Sequence, residues 1–349
     1  MKLRITKRLI PLILVALLLA GCGGGGGGGG AQAGEQIVIN ISHINAPSHP
    51  VHLGLLQFAE DLEERSGGTM IAHIFDSAVL GGDISSLQQV IANQLEAALI
   101  MGVCLWDGYD PRASLELLPF LFDNYEEAIA AFDGELGRWS AENIIHPHGG
   151  VVINYWINGL RQMTNSARPI YTPQDTVGLM WRTPQIEMTL DMFATIGSAA
   201  IPMAFAEVYT ALQMGTIDGQ ETPLASIYAS RFYEVQPYLS LSNHMFATGV
   251  FFFSEEFWEG LTSQQQEWIH ESAYIGARHS QQATFDYEAQ WLEHIRSHGV
   301  QINEINVQSF RDAIEPLWEA WLNELGTEFV TIAAQYIADP NALAHRFAN

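Results

Sequence analysis

An α/β fold in two lobes is what this sequence predicts, and three stretches predict it. Between Val177 and Val235 short apolar runs alternate with helical patterns in the order strand, helix, strand, helix, strand. The same alternation runs a first time between Ile37 and Val103. From Leu261 to about His298 a helical pattern continues without a proline. At 1.5 Å per residue it would be about 55 Å long, wider than one lobe and able to brace both. Such alternation builds open, mostly parallel sheets whose ligands sit at the carboxyl ends of strands.

Ile37–Ile41 opens the first series as a strand. Pro47, Ser48 and Pro50 precede a helix to Arg65 with Val51, Leu55, Phe58, Ala59 and Leu62 on its apolar face, and Gly67-Gly68 ends it. Met70–Phe75 reads as a strand, Leu80-Gly81-Gly82-Asp83 as a turn, Ile84–Asn93 as a helix and Ala97–Val103 as a buried strand. The crossover rule makes these strands parallel neighbours. Leu117–Phe122 is a proline-broken packing segment, and Tyr125–Phe132 and Glu135–Ile145 are outer helices. Val151–Ile157 is a strand running between the lobes, followed directly by Gly159-Leu160-Arg161.

In the second series Val177–Arg182 is a strand stopped by Thr183-Pro184. A helix over Ile186–Ile196, a strand over Ala199–Met203 and a helix over Phe205–Met214 follow. Gly215 stands where a helix end wants positive φ, and Ile217-Asp218-Gly219 restarts extended chain. Ala247–Phe253 is a strand covered on both faces, because its alternation is lost. Ser263 and Gln266 are spaced for a capping box on the long helix. Val300–Ile305 is a strand, and Phe310–Gly326 and Glu328–Ile337 are terminal helices. This order assigns residues 36–158 plus 247–287 to lobe I and residues 159–246 plus 288–349 to lobe II.

The first 22 residues stand outside this scheme. Lys2, Arg4, Lys7 and Arg8 form a basic start, and the apolar run Leu9–Leu19 has the proportions of a signal peptide rather than of a membrane span. Leu19-Ala20-Gly21-Cys22 resembles a lipobox, which makes Cys22 the expected lipidation site; the alternative is an ordinary signal cleaved nearby. The tether, residues 23–35, opens with Gly23–Gly30, whose eight glycines span roughly 15 Å as a coil. Cys104, the other cysteine, lies in the apolar run Ala97–Trp106 and reads as a buried, inert thiol.

Four of the fifteen basic residues fall in the leader, leaving eleven against thirty-nine acids, a net charge of −28 for the remainder. Both lysines are among those four. Nucleic acid and anionic lipid surfaces are poor partners for such a field. The acids are scattered rather than blocked, as on a solvated surface exposed to salt. An arginine retained away from the surface therefore needs a reason.

Two arginines qualify. Arg161 follows a strand that enters lobe II, and Arg182 ends another strand of that lobe. A guanidinium meets a carboxylate through two parallel hydrogen bonds, which fixes orientation as well as charge. For each arginine the competing reading is a structural ion pair. Trp156, Trp181, Phe205 and Trp106 are candidates for apolar walls. Asp218–Pro223 reads as a polar loop able to place Glu221 or Thr222 over the same crevice, or as a satisfied turn. Gln185 begins the next helix, where anions are favoured. The twelve histidines show no zinc-site spacing, so no metal is expected. No nucleophile elbow, P-loop or dinucleotide fingerprint appears, so neither an enzyme nor a cofactor is expected.

The segments Gly159–Thr164 (GLRQMT), Leu179–Pro184, Pro202–Gln213 (PMAFAEVYTALQ) and Asp218–Val235 (DGQETPLASIYASRFYEV) resemble the dicarboxylate-binding family of substrate-binding proteins of TRAP (tripartite ATP-independent periplasmic) transporters. The similarity runs from about Ile37 to the long helix. It implies a two-lobed periplasmic-binding-protein-like fold, type II-like, with each lobe a mixed sheet flanked by helices and a long helix bridging both. It implies capture of a small organic acid between the lobes and delivery to TRAP permease subunits. Arg182 matches the usual carboxylate partner, Arg161 a frequent second one, Phe205 a pocket aromatic and Gln185 a polar contact. Where the family often reads Q-E-N-P this chain has Gln220-Glu221-Thr222-Pro223, so an amide that often binds ligand is a shorter hydroxyl here. The expectation is a periplasmic, membrane-anchored lipoprotein that binds solutes for transport. The alternatives are a binding protein that presents its ligand to a sensory receptor and a lipid-anchored hydrolase.

Overall fold

The structure is a computed structural model describing residues 36–338. The expected leader, Cys22 and the glycine tether lie outside the described residues. The first series is β1 (Ile37–Ser42), α1 (Pro50–Arg65), β2 (Met70–Phe75), α2 (Asp83–Ile91) and β3 (Ala97–Ile100). The short helices α3 (Tyr125–Asp133) and α4 (Glu135–Ser140) lead to the 16-residue strand β4 (Gly150–Asn165). The second series follows as β5 (Met180–Thr183), α5 (Glu187–Thr195), β6 (Ala199–Pro202), α6 (Val208–Gln213), β7 (Gly219–Pro223) and α7 (Leu224–Ala229). The chain closes with β8 (Tyr238–Leu241), β9 (Phe246–Ser254), α8 (Glu255–Glu259), α9 (Ser263–Ser297), β10 (Gln301–Glu304), α10 (Val307–Leu325) and α11 (Glu328–Ala333).

The strands run in the order β2-β1-β3-β9-β4-β7-β5-β6, with β8 joining β4 to β10. β1 lies parallel between β2 and β3, and β5 lies parallel between β6 and β7. The middle is antiparallel, because β9 runs against β3 and β4, and β4 against β7 and β8. The sheet is therefore mixed, where the alternation alone predicted mostly parallel strands.

β4 belongs to both halves. Its residues up to Leu160 pair with β9, and from Arg161 onward they pair with β7. The ladder slips between Val152 and Asn154 and again between Ile157 and Gly159. Gly159 holds φ at 131°, a region that favours glycine, and a Cβ there would sit 3.1 Å from Pro223.

α9 has 35 residues, about 52 Å of helix. Its capping box is Thr262 with Gln265, one residue before the expected pair. Thr262 Oγ1 accepts from the Gln265 amide, and Gln265 Oε1 accepts from the Thr262 amide at 2.8 Å. The first half of α9 packs on α1 at facing glycines: a Cβ on Gly276 would meet the Gly54 carbonyl at 2.7 Å. Further along, Trp291 stacks on Tyr228 of α7 at 5.7 Å and is buried with Ile295, Val208 and Leu239. The helix thus braces both halves of the sheet.

Candidate functional site

A cleft of about 450 Å³ opens beside β5, β7 and the start of α2, within the usual size range of small-molecule sites. Arg182, on β5, is 3% exposed. Its Nε and Nη2 donate to the Met203 carbonyl at 3.0 and 2.7 Å, which fixes the plane of the guanidinium. The Phe205 ring lies 5.8 Å from its Cζ. No carboxylate among the described residues is in ion-pair contact with it. Burial pushes its basicity down to about 9, against the pull of Glu221, and Arg161 pushes in the same direction. The guanidinium keeps its proton at neutral pH, so the depression measures what its desolvated charge costs.

Arg161 also lines the cleft, but its charge is matched. It is clamped by Glu221 through Nε to Oε2 and Nη2 to Oε1, and a third bond runs from Nη2 to the Glu221 carbonyl at 2.8 Å. His244 Nε2 lies 3.3 Å from the same carboxylate, and its Nδ1 lies 2.7 Å from Ser242 Oγ. Burial pushes Glu221 up, but Arg161 and His244 outweigh it and hold the carboxyl down to about 2. Arg161 in turn is raised, because Glu221 outweighs the burial of its charge. Of the two readings for Arg161, the geometry has the ion pair.

Two expected site residues do not line the cleft. Glu221 does not face the crevice. Asp218–Pro223 is not a loop, since its last five residues are β7, and the fully buried Glu221 carboxylate is taken up by Arg161 and His244 instead of lining the cleft. Trp156 is not a wall of this cleft. It is 2% exposed, donates to Asn154 Oδ1 at 2.8 Å, and packs where α1 crosses α9. Trp181 and Trp106 are likewise core residues, stacked on Phe193 and set edge-on to Phe252. Gln185, Phe205 and Thr222 line the cleft together with Arg182 and Arg161.

Sequence reading missed several lining residues. Asp83 begins α2 and presents a carboxyl oxygen that is buried and accepts no hydrogen bond. Burial pushes this carboxyl up to about 7, with a hydrogen bond from the Met101 backbone and then Arg182 pulling the other way. Asn158 Oδ1 is buried without a donor as well. Ser226 Oγ lies 3.3 Å from Nε2 of His49, which caps α1 by accepting from the Val51 amide. The glycine pair before Asp83 and the Asn158-Gly159 step were the available signals. Nothing in the sequence pointed to Ser226 or His244. No group of three or more potential metal ligands occurs among the described residues.

Residues 41–324 match the family described as bacterial extracellular solute-binding protein, family 7 (DctP). The sialic acid-binding periplasmic protein SiaP of Vibrio cholerae is 30% identical over 78% of this chain and 84% of its own length. The sugar acid binding protein DctPAm of Advenella mimigardefordensis, solved in complex with galactonate, superposes with a TM-score of 0.83 at 30% identity. It covers 86% of this chain and 99% of that one. A TRAP periplasmic solute-binding protein of a Polaromonas species, bound to D-erythronate, gives 0.83 at 28% identity over 87% and 100%. Two sheet halves braced by one long helix, with an unmatched arginine between them, agree with these matches: the chain belongs to family 7 of the bacterial extracellular solute-binding proteins, as a substrate-binding protein of a TRAP transporter.

Proposed function

We propose that this receptor captures a small organic acid on Arg182, closes over it, and releases it chemically unchanged to the permease. The observation that carries the reading is a buried guanidinium, fixed in plane by one carbonyl, with no carboxylate partner among the described residues. Hydrogen bonds to charged groups contribute roughly 1.5–3 kcal/mol each, and micromolar affinity needs about 8 kcal/mol. Arg182 alone falls short, so Phe205, Gln185, Thr222 and the closing of apolar walls supply the remainder. Arg161, held by Glu221, acts as a fixed dipolar wall. The relatives solved with galactonate, D-erythronate and β-D-glucuronate support a sugar acid as ligand here. The lobes expected from the sequence, residues 36–158 plus 247–287 and residues 159–246 plus 288–349, support a cleft lying between them. Leu19-Ala20-Gly21-Cys22 supports attachment to the membrane by lipid at Cys22.

The test is a thermal-shift screen of organic acids, followed by recovery of the bound compound. A ligand at 100 times its Kd adds about 2.7 kcal/mol of stability, a readable shift. Stabilisation by one class of carboxylate, recovered intact, is expected. Turnover of that compound, or indifference to every acid, would overturn the reading.

A further inference from the structure

We propose that His294 and His298, at the end of α9 and outside the cleft, form a two-imidazole site for a late first-row divalent metal ion, with Cu²⁺ the strongest binder.

Residues four apart on a helix are surface neighbours, and the same separation puts the two metal-binding histidines of an HExxH motif on one helix face. Here the run is His294-Ile295-Arg296-Ser297-His298, and the two imidazole centroids lie 4.4 Å apart. His294 is half-buried and stands edge-on to Tyr228 and Tyr233, each at 5.2 Å. The Tyr233 ring also lies 4.8 Å from that of His298, and Tyr228 is stacked on Trp291. This aromatic support limits the rotamers open to both imidazoles, so less freedom is lost when a metal joins them.

The ring nitrogens are disposed as metal ligands require. A neutral imidazole has one N–H donor and one acceptor nitrogen. His298 Nδ1 lies 2.8 Å from the His294 carbonyl oxygen, which only accepts, so the proton is on Nδ1 and the lone pair on Nε2. His294 Nε2 lies 3.3 Å from Tyr233 Oη, and when it donates to that oxygen the His294 lone pair is on Nδ1. A metal-bound histidine characteristically donates its other N–H to an oxygen, which fixes the tautomer, and both rings have such an oxygen. Burial, and then Glu234, push the Tyr233 phenol up, so it keeps its proton and acts as that partner rather than as a ligand. The other close histidine pair, His43 and His52, lacks this arrangement, because the two rings are bonded nitrogen to nitrogen at 3.1 Å.

Imidazole suits Cu²⁺, Ni²⁺ and Zn²⁺, with affinity greatest at Cu²⁺, whereas Ca²⁺ and Mg²⁺ take oxygen ligands. Two imidazoles from the chain leave the remaining positions to water. Arg296, the cation between the two histidines in sequence, is taken up by Glu293 at 2.9 Å. The excess of thirty-nine acids over eleven basic residues outside the leader raises the local concentration of any cation.

The experiment is a Cu²⁺ titration of the full chain, freed of metal, at pH 7.5, read by calorimetry and by electron paramagnetic resonance at one equivalent. One Cu²⁺ per chain is expected to bind with micromolar Kd and to show coupling to imidazole nitrogen, with Zn²⁺ at least tenfold weaker and Ca²⁺ without heat. His294→Ala and His298→Ala are each expected to weaken Cu²⁺ at least tenfold, and their combination to add little, because a chelate is lost with its first arm. The melting midpoint without metal verifies folding, and His294→Gln and His298→Gln replace an alanine variant that melts low. Tyr233→Phe keeps the ring and removes the oxygen. It is expected to weaken Cu²⁺ two- to fivefold while the nitrogen coupling persists; a merely structural Tyr233 would move the melting midpoint and not this Kd. A Kd and spectrum unchanged in the double variant would overturn the proposal, since the metal would then be an adventitious ion only, bound elsewhere. Binding no tighter than millimolar in the wild type would overturn it as well.

Discussion

Replacing Arg182 by Met separates what the arginine does for the ligand from what it does for the fold. The unbranched side chain keeps the apolar stem, ends two atoms short of the guanidinium nitrogens and carries no charge. Among the described residues no carboxylate pairs with the buried cation, and burial pushes its basicity from its ordinary value down to about 9. At 1.36 kcal/mol per pKa unit, that depression corresponds to a burial cost on the order of 4–5 kcal/mol. Removing it offsets the loss of two hydrogen bonds to the Met203 carbonyl, which contribute about 1 kcal/mol each. The ligand-free variant is therefore expected to melt no lower than the wild type. Binding moves the other way, because breaking a buried charge pair costs about 3–5 kcal/mol, or two to three and a half decades in Kd. Differential scanning fluorimetry without ligand and calorimetry with the best organic acid check both halves. A variant that melts several degrees lower and still binds within threefold of wild type would refute the reasoning, since Arg182 would then be structural.

Glu221→Gln is expected to be strongly destabilising, by about 3–5 kcal/mol, because it leaves Arg161 buried beside a neutral amide; chemical denaturation measures it. Stability is expected to fall as pH drops from 6.5 toward 3. Burial holds His43 and His49 down to about 3, so the unfolded chain takes up their protons first. The limiting slope is about 1.4 kcal/mol per pH unit for each histidine. Asp83, raised to about 7, works in the opposite sense over pH 7 to 3.8 but is a single group. His49→Asn, which retains a capping oxygen, is expected to flatten the melting-midpoint profile. Cys22→Ser is expected to move the protein from the membrane fraction to the soluble one on fractionation; continued membrane retention would count against lipidation.

The parts of the fold legible in the sequence were those whose periodicity is set by burial on one side. β2 has the expected bounds, and α1, α5 and α9 lie within a few residues of theirs. β4 was underestimated. Its second half, Gly159–Asn165, is polar in composition, and it is a strand because β7 and β8 pair with it, a contact with no local signature. β8 was missed for a related reason: four residues carry too little pattern, and their partners β4 and β10 are distant in sequence. At the site, Arg182 could be found because a cation in so acidic a chain is conspicuous. Asp83 could not, because one acid among thirty-nine looks like surface until its burial is known. Glu221 and Trp156 stand outside the cleft lining because each is taken up by buried partners, Arg161 and Asn154, which composition does not carry.

The slip in the ladder at Ile157 and Gly159 falls where β4 leaves β9 and takes up β7. Any rotation of one half of the sheet against the other must be absorbed in such a segment, and Asn158 sits within it while its side chain lines the ligand's enclosure. The change of partner strand and a residue that lines the cleft thus occupy a single residue step. A substitution at Asn158 made to reshape the cleft therefore also falls on the irregular step of the one strand that both halves of the sheet share.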